Sequence, residues 1–137
     1  MKKAPGFRAM KKNRGGWVFG VPSRAGYMGK VIDVMICGTF ECSDYDCIGC
    51  SCEEILPETI SRYTGKEDIR GESIYEKDVL ESEFTGERRR YEVAFTKGAF
   101  GILSKADRQK HFVPFAVLPE EVTFEIVGNV IETPELF

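Results

Sequence analysis

The sequence predicts a mainly β protein: an irregular N-terminal β lobe over residues 1–62, then an SH3-type small β-barrel over residues 63–137. Three observations carry this prediction. Short apolar runs alternate at period two, as in Tyr91-Glu92-Val93-Ala94-Phe95, which puts every second side chain on one face of a strand. Turn signals containing Gly separate these runs, as at Thr85-Gly86-Glu87 and Thr96-Lys97-Gly98. Ten Phe, five Tyr and one Trp in 137 residues suit the half-buried surfaces of pleated sheets.

In the N-terminal lobe, Lys11 to Gly16 reads as a hairpin turn between Phe7-Arg8-Ala9 and Trp17-Val18-Phe19, because Asn-Arg-Gly-Gly supplies residues that tight turns demand. Period two places Trp17 and Phe19 together, with Val18 on the other face. Pro22 to Gly26 reads as a loop. Val31 to Ile36 is β-branched and apolar around Asp33 and reads as a strand. Glu53 to Ile60 opens as a strand and meets Pro57, which restricts pairing.

The chain is organised around residues 63 to 79. Gly65 and Gly71 punctuate this stretch, and Asp68, three residues before Gly71, suits the first position of a tight turn. Ile74-Tyr75 and Asp78-Val79-Leu80 then begin strands. Leu80, Tyr91, Val93, Phe95, Phe100, Ile102, Phe124 and Ile126 share one phase and are expected to be buried together. Ser104 to Lys110 is polar and reads as one helical turn. His111 to Leu118 reads as a strand, at an edge because of Pro114. Val122, Phe124 and Ile126 alternate in the last strand, and Thr133-Pro134-Glu135 is a helix-start signature. About five short strands in roughly 60 residues bury one face best when the sheet curls into a small barrel.

Composition narrows the functional classes. With 42% hydrophobic and 30% charged residues, and a net charge of −3, the chain is an ordinary globular one. Its opening residues lack the apolar core of a signal peptide, and no apolar run reaches the roughly 20 residues of a membrane helix. A cytoplasmic location is expected. Charge is unevenly spread: Lys2, Lys3, Arg8, Lys11, Lys12 and Arg14 stand without an acid among them, while residues 41–83 are acidic. With Arg88-Arg89-Arg90 and the single Trp17, that basic arm is the candidate nucleic-acid surface. A solvated arm, a packed Trp17 and a solvated strand end at Arg88-Arg89-Arg90 are the first readings of these residues.

All five cysteines fall between Cys37 and Cys52. Cys47-x-x-Cys50 has the spacing that lets two thiolates meet one tetrahedral metal, and Cys42 with Cys52, or Cys37, would complete four ligands. One short stretch is an awkward source for all four, and a reducing cytosol disfavours disulfides. Free thiols are therefore the first reading, a zinc site on Cys42, Cys47, Cys50 and Cys52 the second, and a disulfide the third. His111 stands alone. No phosphate-loop, dinucleotide or zinc-protease motif is present, and turn and cap duties account for Asp68, Glu76 and Asp78. Neither a cofactor nor catalysis is expected.

Several segments together carry a family resemblance. Tyr63-Thr64-Gly65, Asp68, Gly71 and Ile74-Tyr75-Glu76-Lys77-Asp78-Val79 match a signature of the YopX-like phage and prophage proteins. Phe7-Arg8, Gly16-Trp17-Val18-Phe19-Gly20, Ile126-Val127-Gly128-Asn129-Val130 and Glu132-Thr133-Pro134-Glu135-Leu136 are similar to further family segments. Lys77 departs from the family's usual Gly and Thr133 from its usual Asn, so the sequence leaves open whether residue 77 takes a positive φ. The resemblance implies an SH3-type barrel for the C-terminal part and a bacterial host cytoplasm, and it carries no activity. The expected function is a non-enzymatic, phage-derived binding module. A protein-interaction adaptor acting on a phage or host protein is the first reading, and a weak nucleic-acid binder the second.

Overall fold

The computed structural model describes residues 6–37, 51–106 and 109–136. Among the described residues, eleven strands run in chain order: β1 (Phe7–Met10), β2 (Trp17–Tyr27), β3 (Lys30–Cys37), β4 (Ser51–Glu54), β5 (Ser61–Glu67), β6 (Ser73–Tyr75), β7 (Asp78–Ser82), β8 (Arg89–Thr96), β9 (Ala99–Ala106), β10 (Gln109–Pro114) and β11 (Glu125–Asn129). Single 3-10 turns lie at Pro57–Thr59, Phe115–Val117 and Pro134–Leu136. The protein is mainly β, with all strand pairs antiparallel. It divides into two compact units, Met1–Arg62 and Tyr63–Phe137.

In the first unit the strand order is β4-β3-β2-β1, and β1 also pairs with the start of β5. The β1–β2 hairpin forms where Asn-Arg-Gly-Gly predicts it. The Lys11 amide donates to the Gly16 carbonyl at 3.0 Å, and Arg14 takes a positive φ of 59°. The loop expected at Pro22 to Gly26 is instead part of β2. Gly20 and the three residues before it pair with β1, whereas Val21 to Tyr27 pair with β3 alone. With a ladder on only one side, the missing N–H of Pro22 costs little, and so the loop-forming residues are tolerated. Met28 and Gly29, at φ 49° and 78°, then form a two-residue hairpin turn whose twist matches the strands.

The inward phase of β2 is the reverse of that expected. Val18 is buried with Ala9, Met35 and Ile55, and Phe7 and Ile60 pack against them. Phe19 is 42% exposed. Val18 lies opposite Ala9 and Met35 opposite Pro22, so the pleat gathers these residues on one face. Thr59 links the 3-10 turn to this core, since its Oγ1 accepts the Met10 amide at 2.8 Å and donates to the Leu56 carbonyl at 2.6 Å.

In the second unit, the remainder of β5 pairs with β6, and five strands form a sheet of order β10-β9-β8-β7-β11. The expected strands recur here with changed bounds. β11 begins at Glu125, so Val122 and Phe124 precede it. The helical turn expected from Ser104 to Lys110 is a hairpin, with Ala106 opposite Gln109. β10 lies at an edge of the sheet, as Pro114 suggests. Leu80, Tyr91, Val93 and Ile102 are buried with Ile74 and Phe115, while Phe100, Phe124 and Ile126 pack partly buried against them. Phe95 breaks the pattern at 37% exposure. It is one pair from the β8–β9 turn, where the sheet ends, and its ring meets that of Phe100 at 4.8 Å.

Lys77 adopts φ 71°, so the backbone here asks for what Gly provides without steric strain. Its amide donates to the Val93 carbonyl at 2.8 Å and its carbonyl accepts the Val130 amide at 2.9 Å, which holds the residue in that conformation. Lys77→Gly is expected to raise stability by about 0.5–1 kcal/mol, the relief of left-handed strain exceeding glycine's entropic cost. Urea unfolding checks this, and a destabilised variant would refute the strain argument. Gly128 is required for a different reason. A side chain there would run into Thr133 and Leu136, where the chain closes on itself through Asn129. The Asn129 Oδ1 accepts the amides of Ile131 and Glu132 at 3.0 and 2.8 Å, and the Thr133 hydroxyl donates to the Asn129 carbonyl at 3.0 Å.

Candidate functional site: a groove beside the Asp68 turn

The turn from Asp68 to Gly71 is built by one carboxylate. Asp68 Oδ1 accepts the amides of Arg70 and Glu72 at 2.9 and 2.8 Å, and the Gly71 amide donates to the Asp68 carbonyl at 3.0 Å. Gly71 sits at φ 82°, which an L side chain would resist. Asp68 Oδ2 reaches across to β11 and accepts the Ile126 amide at 3.1 Å. On the same edge, the Ile69 amide donates to the Phe124 carbonyl at 2.8 Å, and the Arg70 guanidinium donates to the Ile126 carbonyl at 2.9 Å. The turn therefore acts as a neighbour to the outer side of β11. Burial alone would raise the Asp68 carboxyl. The amides of Ile126, Glu72 and Arg70, with the Arg70 charge, outweigh it and hold the group below the usual carboxylate range.

Fixing this turn leaves a groove beside it. A depression of about 470 Å³ lies between Lys66–Ile69 and the segment from Phe115 to Phe124. Ile69 is 65% exposed and lines it with Leu118, Val122 and Phe124. The Lys66 ammonium lies 5.6 Å from the centroid of the Phe115 ring, within cation–π range. Phe115 and Tyr91 each meet Phe124 edge-on, at 5.8 and 6.4 Å, so the groove floor is continuous with the core. None of these groove residues was singled out in the sequence as a site. Ile69 carried the one available signal, a large apolar residue inside an otherwise polar turn.

The residues that the sequence did single out are dispersed. Arg88 is bonded to Glu81 and lies 3.4 Å from Glu83 and 3.1 Å from Glu125. Arg89 pairs with Glu87 at 3.1 Å and Arg90 with Glu81 at 3.1 Å. Arg90 and then Arg88 hold the Glu81 carboxyl below its usual range. The triple-Arg cluster thus carries its own counter-charges. Arg8 is a buried residue of β1 rather than part of a free arm, with its guanidinium 4.4 Å from the Trp17 ring centroid. Trp17 is half-buried. Lys12 pairs with Glu54 at 2.7 Å, a contact that raises its pKa. Lys11 is partly exposed and Arg14 exposed.

Lys2 and Lys3 lie outside the described residues, as do Cys42, Cys47 and Cys50. Cys52 is exposed with a free thiol, and Cys37 ends β3, opposite Ser51. Among the described residues no His, Cys, Asp and Glu gather as metal ligands. His111 is exposed on β10, opposite Ser104. No helix among the described residues is long and apolar enough to cross a membrane.

The family model for the YopX protein matches residues 6–137. The chain belongs to the YopX family. Two solved structures share the fold. The yopX protein of Bacillus subtilis is 14% identical, with 98% of this chain and 99% of that one covered at a TM-score of 0.51. Protein EF1440 of Enterococcus faecalis is 18% identical, with the same coverage and a TM-score of 0.52. Comparison with curated proteins gave no match. The matched residues include Asp68 and Gly71, which build the turn on β11, and Gly128-Asn129, which closes the chain after that strand.

Proposed function

We propose that the Tyr63–Phe137 unit is an SH3-type small barrel serving as a non-enzymatic protein-binding module, in a phage-derived protein acting in the bacterial host cytoplasm. The strand path supports the barrel reading. Four strands follow one another, and a 3-10 turn at Phe115–Val117 precedes the last, which returns to pair with the first, β7. The observation that carries the binding reading is the groove, where exposed Ile69 and the apolar side chains of Leu118, Val122 and Phe124 line about 470 Å³. Concave surfaces that set apolar side chains beside polar groups are a common form of ligand site. Asp68, the buried carboxylate at this groove, has both oxygens engaged by backbone amides, which suits a structural role better than proton transfer.

A photo-reactive phenylalanine analogue placed at position 69 tests the reading in host lysate. It is expected to crosslink to a protein that the same label at exposed Lys97 does not capture. Labelling that is identical at the two positions would refute the groove as a binding site. Nucleic-acid binding through Arg88–Arg90 is the weaker reading, because each of these guanidiniums has a carboxylate within 3.1 Å that phosphate would have to displace. Fluorescence anisotropy with single- and double-stranded DNA is expected to show at most weak binding that disappears at moderate salt. Tight, salt-resistant binding would reverse the order of the two readings.

A further inference from the structure

We propose that the occupant of this groove is a segment of another protein that sets Lys or Arg beside large apolar side chains. This rests on the protein-binding reading above and adds the chemistry of the partner. The groove continues into a second depression of about 340 Å³, lined by Glu83, Phe84 and Glu121, and the two share Pro119, Val122 and Thr123. Two depressions in series suit a length of chain better than a compact ligand. Their apolar lining includes Ile69 and Phe84, 65% and 39% exposed.

Their charge is one-sided. Glu67 and Glu120 line the first depression and Glu83 and Glu121 the second, all exposed. Among the described lining residues of both, the cation is Lys66, which is set over Phe115. Asp68 does not add to the open charge, since its oxygens are taken by amides. Arg88 reaches Glu83 but is shared with Glu81 and Glu125. An acidic segment laid here would meet like charge as water is expelled. A cationic one gains both steering and pairing.

Random-peptide display against the full chain, followed by anisotropy titration of the selected peptides, tests the proposal. Two variants serve as probes, Glu67→Lys with Glu120→Lys, and Ile69→Asp. All three side chains involved are surface ones, and thermal unfolding confirms that each variant remains folded. The selected peptides are expected to combine Lys or Arg with apolar residues. The double reversal should weaken them about tenfold or more, and affinity should fall as salt rises. Uncharged or acidic peptides that lose binding with Ile69→Asp would overturn the cationic partner and leave the groove reading standing. Failure to enrich any peptide, or peptides indifferent to both variants, would overturn the two together. Self-association that Ile69→Asp abolishes, seen by sedimentation velocity, would place a second copy in the groove and also overturn the proposal.

Discussion

Replacing Asp68 with Ala is expected to lower the unfolding free energy by about 3 kcal/mol and to make the protein prone to self-association. Three backbone amides, those of Arg70, Glu72 and Ile126, lose their acceptor. Bonds to a charged acceptor contribute about 1.5–3 kcal/mol each, and a buried amide left without a partner carries a further desolvation cost. Water entering the vacated space recovers part of this. Once the turn no longer covers β11, the outer side of that strand offers its amides and carbonyls to other chains. Asp68→Asn separates charge from shape. Its oxygen can still serve the amides of Arg70 and Glu72, but its NH₂ then faces the Ile126 amide, donor against donor. Asp68 also sets a pH dependence. Its folded-state pKa lies below the ordinary value of 3.8. Its stabilisation is therefore fully present above that value and is lost as pH falls through the depressed folded value. The difference between wild-type and Asp68→Asn stability, measured by urea unfolding from neutral to strongly acidic pH, is expected to shrink over that window. A pH-independent difference would show that the charge contributes nothing.

Ile102→Ala is expected to cost about 3–4 kcal/mol, the upper part of the range for removing a buried aliphatic side chain that leaves a cavity. Ile102 is 1% exposed and lies opposite Val93 on one side of β9 and Val113 on the other. Three strands thus fix its surroundings, and rigid walls collapse poorly into a void. Phe95→Ala provides the contrast. The alternation of β8 alone would assign Phe95 a full core cost, whereas its 37% exposure and position next to the turn reduce the expected loss to about 1 kcal/mol, mainly its contact with Phe100. Parallel urea titrations check the pair. Equal costs would mean that the end of the sheet packs as tightly as its middle.

Most of the second unit was legible in its sequence because its strands are short, half-buried and separated by turns that need particular residues. Lys97-Gly98 and the turn at Asp68 to Gly71 are both found where their residues imply. The errors share a cause. Pro22, Ser23 and Gly26 have the local chemistry of a loop, and only the one-sided pairing of β2 makes a strand of them. Trp17 and Phe19 outrank Val18 in size, yet the face of β2 that is buried was chosen by Ala9 and Met35, which sequence distance hides. Ser104 to Lys110 is polar enough for a helical turn, but a strand at the rim of a sheet is equally polar. The groove was the least legible feature. Its two walls, near residues 66–69 and 115–124, are separated by some fifty positions, and no single segment has the composition of a binding motif. The triple-Arg cluster shows the converse. It is conspicuous in the sequence, but its counter-charges come from Glu81, Glu83 and Glu125 on neighbouring stretches of chain.

The β3–β4 ladder ends with Cys37 opposite Ser51, so the two ends of the connection between these strands are held side by side. Closing a longer connection between the same two anchors adds only about 0.6 kcal/mol for each doubling of its length. Insertions and deletions between Cys37 and Ser51 therefore leave the register of β2, β3 and β4 unchanged. At the Asp68 turn, whose carboxylate bonds across to another strand, a change of length is expected to cost far more.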